Sequence, residues 1–170
     1  PEHVYELENN NEILRRTCLL LTAAHEAGTH ISIENPADRS DRNSPLFMHA
    51  QHGSFWSTSW YKALAQHAQL QEVTFAMCAL GSPYQKYTTI SYSGTLHPIL
   101  GPLVSQSCSH PPGTHRLKAG DREANGTWAS APAASYPRGL NLILADALST
   151  PRKPNESTEA PATSVIANTA

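Results

Sequence analysis

The chain has 170 residues, of which 15% are charged and 39% hydrophobic, with 13 prolines, a formal net charge of -2 and a pI of about 6.5. That length suits one domain with a real core, and the near-neutral balance argues against a module that grips a nucleic-acid backbone by electrostatics alone. No apolar run approaches the roughly 18 residues that would span a bilayer, and Pro1-Glu2-His3 lacks the basic-then-apolar pattern of an export signal.

Three widely spaced cysteines, Cys18, Cys78 and Cys108, argue against a disulfide framework and for an intracellular, reducing compartment, the nucleus if the host is eukaryotic. Asn125-Gly126-Thr127 and Asn155-Glu156-Ser157 then read as chance matches to the glycosylation pattern. A start at proline rather than methionine is expected of a fragment.

In chain order, Leu7, Ile13, Leu14, Cys18, Leu21 and Ala24 recur at helical spacing between Val4 and Ala27, with Gly28 as C-cap. Thr29 to Pro36 reads as a short buried strand centred on Ile31-Ser32-Ile33-Glu34-Asn35-Pro36. It stops at Pro36, which lacks the N–H to extend a ladder. Ligands of open α/β sheets collect beyond strand carboxyl ends, so Glu34 and Asn35 are the first site candidates, the bland reading being a solvated strand end and a turn. A polar loop, Ala37 to Gly53, follows as an active-site flank.

Ser54-Phe55-Trp56 leads into a helix reaching Gln69, with Trp56, Trp60, Ala63, Leu64 and His67 near one face, a stripe that reads as core rather than as a base-stacking surface. Glu72 to Leu80 reads as a second strand, closed by Gly81-Ser82-Pro83. Lys86-Tyr87-Thr88 opens a third, running to Tyr92, and the pair forms an antiparallel hairpin at the sheet edge. Leu96 to Val104 is a short helical or irregular piece broken by Pro98 and Pro102. Gly120 to Ser130 is a polar connection, and Tyr136-Pro137 starts a last helix ending at Leu148. From Ser149 to Ala170 the Pro, Ser, Thr and Ala content carries no apolar period, as in a disordered tail.

The loop Cys108-Ser109-His110-Pro111-Pro112-Gly113-Thr114-His115 brings three metal-ligating side chains together, with Cys78 as a fourth reached through the fold. Zinc accepts such a set, although Cys-x-His-x-x-x-x-His is not a standard spacing; the plain alternative is a proline-rich loop with solvated histidines. His49-x-x-His52 is a weaker pair. By itself Lys86 reads as a surface charge and Cys78 as a packed thiol.

Taken together, Glu34-Asn35-Pro36, Cys78-Ala79-Leu80-Gly81 with Lys86-Tyr87-Thr88, Cys108 with His115, and Ala134-Ser135-Tyr136-Pro137-Arg138-Gly139-Leu140 follow one order. The chain from about Asn11 to Leu148 resembles the divergent cytosine-5 DNA methyltransferase-like proteins of phages and of algal or fungal mobile elements. The resemblance implies a Rossmann-like class I fold, of which residues 1–148 would be the C-terminal α/β half: part of the sheet, flanking helices and an edge hairpin. It implies S-adenosylmethionine as methyl donor and DNA as partner, the target cytosine being flipped from the stack.

In that family a thiolate adds to cytosine carbon 6 and the Glu of Glu-Asn-Pro contacts ring nitrogen 3, a role that carries over to Glu34 beside Asn35. Lys86 and Thr88 carry over as groups that steady the base or its phosphate. Departures accompany the match. There is no Gly-rich cofactor loop, so the cofactor-binding residues are unknown, and no Pro-Cys nucleophile, Cys18 being better read as core. The missing N-terminal half of the domain is then a partner, and no turnover is expected of this chain alone. The other class of reading is a non-catalytic, mobile-element-derived interaction module, with or without structural zinc, in which exposed Phe55, Trp56 and Trp128 matter more than Glu34.

Overall fold

The computed structural model describes residues 2–51, 53–111, 113–115, 124, 126 and 134–151, the side chains of residues 2 and 3 excepted. Helix α1 (Glu2–Glu26) ends as its sequence demands. Gly28 adopts φ 73°, and the amide of Thr29 returns to the Ala24 carbonyl at 2.9 Å. Among the described side chains of α1 only Cys18 is buried, which fits a core cysteine rather than a nucleophile.

Three strands form one sheet in the order β1 (Ser32–Pro36), β3 (Tyr87–Tyr92), β2 (Gln71–Ala76). Both pairings are antiparallel. The mixed helix-and-sheet class is as expected, whereas the parallel arrangement of a doubly wound sheet is not formed among the described residues. The β2–β3 hairpin also forms, with β3 central rather than at the edge, because β1 adds to its far side. β3 carries the density needed for that place: Thr88 through Tyr92 are all buried. Glu34 and Asn35 lie within the ladder, opposite Ile90 and Thr89, rather than beyond the strand end.

Register sorts the side chains onto two faces. Val73, Phe75, Ile90 and Tyr92 share one face and pack on Leu96, on Leu100 of α3 (His97–Leu100), on Leu103, and on Leu140 of α4 (Arg138–Leu148). The other face meets α1 and α2 (Ser59–His67) through Ile33, Phe55, Trp56, Tyr61 and Leu64. The result is a helix–sheet–helix sandwich with a core on each side.

Three expectations need correction. The second strand does not run to Leu80: it ends at Ala76, the Met77 amide makes a last ladder bond to the Lys86 carbonyl at 2.8 Å, and the chain closes into a 3-10 turn, Met77–Leu80, as the Gly81 and Ser82 amides return to the Cys78 and Met77 carbonyls, both at 3.2 Å, with Gly81 at φ 100°. Helix α2 starts at Ser59 rather than directly out of Ser54-Phe55-Trp56, since the Thr58 side chain caps it by accepting from the Tyr61 amide, and Phe55–Ser57 is a separate 3-10 turn. Phe55 and Trp56 are 6% and 8% exposed, stacked edge-on at 5.1 Å, with the Trp56 indole donating to the Pro36 carbonyl at 2.8 Å; they are core, as the stripe reading has it for Trp56, and not the exposed surface that the interaction-module reading requires. Trp128, His52, most of the Gly120–Ser130 connection and residues 152–170 lie outside the described residues. No described helix is long and apolar enough to cross a membrane.

Candidate functional site

Two clusters of candidate side chains flank the β2–β3 hairpin. The first centres on Glu34. Because Glu34 is opposite Ile90 and Pro36 opposite Thr88, Glu34 and Thr88 are diagonal neighbours on one face of the sheet. The Thr88 hydroxyl donates to Glu34 Oε1 at 2.6 Å and Lys86 Nζ lies 3.5 Å from the same oxygen. The other oxygen, Oε2, accepts from the Tyr136 hydroxyl at 3.0 Å. Side chains of Lys86 and Glu34 are only 20% and 21% exposed, so the pair is far less screened than a surface ion pair.

Burial and then the neighbouring Glu34 charge push the Tyr136 hydroxyl up to about 12, so it remains a donor at neutral pH. Tyr136 was visible in the sequence as part of Tyr-Pro, but only the fold assigns it a partner. Asn35 pairs with Thr89 and projects to the opposite face, so it does not join Glu34.

The second cluster is built by backbone pairing. The Ala76 amide donates to the Gln106 carbonyl at 2.8 Å, which sets residues two further along each segment, Cys78 and Cys108, side by side. His110 follows within the loop. A turn then reverses the chain: the Thr114 amide returns to the Pro111 carbonyl at 3.2 Å, Gly113 adopts φ 83°, and His115 comes back to Cys108. Cys108 Sγ stands 3.8 Å from His110 Nδ1 and 3.1 Å from His115 Nε2, and the two imidazoles meet at 4.9 Å.

All four donor atoms, one each from Cys78, Cys108, His110 and His115, lie within 4.8 Å of one another, a group that could hold a metal ion. Tetrahedral zinc needs ligand–ligand separations of about 3.4–3.8 Å, so the widest pair has to close by about 1.0–1.4 Å and the 3.1 Å Cys108–His115 contact has to open slightly to complete the shell.

Their electrostatics divide the two thiols. Hydrogen bonds from His110 and then His115 bring Cys108 down to about 6, whereas burial, and then the contact with Cys108, pushes Cys78 up to about 11. Cys78 is buried and Cys108 partly open, so one ligand anchors to the core while the loop ligands face solvent.

Of the sequence candidates, Glu34, Lys86 and Thr88 meet in one cluster and Cys78, Cys108, His110 and His115 in the other. His52, the other member of the weaker His49-x-x-His52 pair, lies outside the described residues. A groove of about 720 Å³, lined by Asp38, Trp56, Thr74, Tyr87, Thr89 and Gln106 among others, includes neither cluster. Comparison with protein-family models, with curated proteins and with solved structures finds no match.

Proposed function

We propose that this chain is a zinc-binding α/β module that contributes the target-base-contacting segment of a cytosine-5 DNA methyltransferase-like protein. The observation that supports this reading is the convergence on Glu34: Lys86, Thr88 and Tyr136, each from a motif of the resemblance, meet one carboxylate. A carboxyl that contacts a flipped cytosine must be held in one rotamer within a half-buried pocket, and three polar partners on two oxygens do that.

In this reading Glu34 faces ring nitrogen 3, Lys86 steadies the base or its phosphate, and the Rossmann-like strands and the thiol nucleophile come from the N-terminal half of the domain. S-adenosylmethionine is the methyl donor of the parent protein and binds in that half. Zinc is the ion of the Cys/His group, because two thiolates with two imidazoles and no carboxylate favour it over magnesium or calcium.

The test is Glu34→Gln in the parent protein. Loss of cytosine methylation with folding retained supports the assignment; unchanged methylation overturns it. Upstream sequence is a second test. A Gly-rich loop followed by Pro-Cys within about 40 residues of Pro1 supports the methyltransferase reading, and an initiator Met just upstream with neither element overturns it.

A further inference from the structure

The Met77–Leu80 turn touches both clusters, and the way it does so carries a consequence for their regulation. From its Cys78 comes the buried ligand of the metal group. Through Met77, whose amide donates to the Lys86 carbonyl at 2.8 Å, it holds the start of β3 and the residue that pairs with Glu34. Through Leu80 it holds α4, for a Cβ on Gly139 would stand 2.9 Å from the Leu80 carbonyl oxygen, closer than any side chain tolerates. Gly139 lies three residues after Tyr136, the donor to Glu34 Oε2. One four-residue turn therefore carries a member of the Cys/His group, is hydrogen-bonded to the Lys86 strand and packs closely on Gly139 of α4, three residues after Tyr136.

We infer that metal binding at Cys78, Cys108, His110 and His115 locks the Met77–Leu80 turn and thereby holds Lys86 and Tyr136 on Glu34, making the Glu34 cluster metal-dependent. This rests on the zinc assignment proposed above. A 3-10 turn has poor hydrogen-bond geometry and little stability of its own, so its position is set by what it is tied to. Without the ion, the Cys78 side chain meets the loop through sulfur contacts beyond the one Ala76–Gln106 backbone bond; with it, the loop and the turn become one rigid unit. The coupling then runs through hydrogen bonds and one close backbone contact, with no long-range field required.

Amide hydrogen exchange on the full chain, zinc-loaded and after chelation, tests this once zinc content has been measured on the same samples. The expected result is that the Met77 amide, bonded to Lys86, and the Asn141 amide, bonded to the Pro137 carbonyl at 3.1 Å, exchange about tenfold faster without zinc. The Ala68 amide, bonded to Leu64 at the end of α2, keeps its rate.

Change confined to residues 106–115 overturns the coupling, and so does an equal acceleration at Ala68, which would be global loosening. A chain that binds no zinc fails the assignment itself, a result the metal analysis reads separately. Gly139→Ala gives a second arm: with zinc content unchanged, Asn141 exchange loses its dependence on zinc while Met77 retains it. A zinc dependence at Asn141 undiminished in that variant overturns the Leu80 route.

Discussion

The Thr88 hydroxyl, fully buried in the central strand, donates to Glu34 Oε1 at 2.6 Å although 54 residues separate the two. Thr88→Val keeps the shape and deletes the donor, leaving a half-buried carboxylate oxygen short of a partner. The expected cost is about 1–3 kcal/mol, read as a lower urea midpoint with unchanged slope, and Thr88→Ser recovers most of it.

Zinc binding should release protons in a number that the two thiols dictate. At pH 7.5 Cys108, held at about 6, is already thiolate, whereas Cys78, pushed up to about 11, still carries its proton. One zinc per chain should therefore displace about one proton, measurable by calorimetry in buffers of different ionisation enthalpy. Cys78→Ser abolishes that release along with tight binding.

In the metal-free chain Cys108 is the reactive thiol. Its value lies below that of a free cysteine, so the thiolate is fully present at pH 7.5 and is lost as pH falls through about 6. Iodoacetamide labelling should be half-maximal there and suppressed by zinc, and His110→Ala should move the midpoint upward. Cys18 and Cys78, both buried and both raised by desolvation, stay unlabelled.

The Tyr61 hydroxyl hydrogen-bonds Glu72 and, at 2.8 Å, the fully buried Ser91, tying α2 to the sheet. Tyr61→Phe strands the Ser91 hydroxyl in the core. Thermal unfolding should show a loss of about 1–3 kcal/mol, and Tyr61→Phe with Ser91→Ala should cost less than the sum of the two single changes.

Gly81 and Gly53 offer a matched pair. Neither position crowds an added Cβ, but only Gly81 has a positive φ, 100°, where it closes the Met77–Leu80 turn. Gly81→Ala should destabilise by about 1 kcal/mol or more while Gly53→Ala is neutral to stabilising, a contrast that denaturant melts would resolve.

Much of the local structure was legible in the chain. The apolar spacing from Leu14 to Ala24 and the glycine after it specify the packed part of α1 and its end, although Leu7 and Ile13 of the same stripe stay exposed; Pro137 followed by Leu140, Leu142, Ile143, Leu144, Ala147 and Leu148 specifies α4, of which Leu142 and Leu148 stay exposed. Both signals act over one or two turns, the range at which hydrogen bonds and amphipathic burial are set by neighbours in sequence. The loop Cys108 to His115 was readable for the same reason, its three ligands lying within one reversal of the chain. Cys78 could be named as a fourth only as a guess about the fold.

The sequence by itself thus determined the helices, the hairpin and the donor chemistry of the two clusters. Only the tertiary structure decided that β3 is central, that β2 yields to a 3-10 turn at Met77, that Phe55 joins the core, and that Glu34 answers to Tyr136. Period-two alternation reports that a strand has a buried face but not which strands flank it. Strand order and register arise when both faces of the sheet must be covered at once, a requirement on residues as distant as Glu34 and Tyr136 that no local pattern encodes.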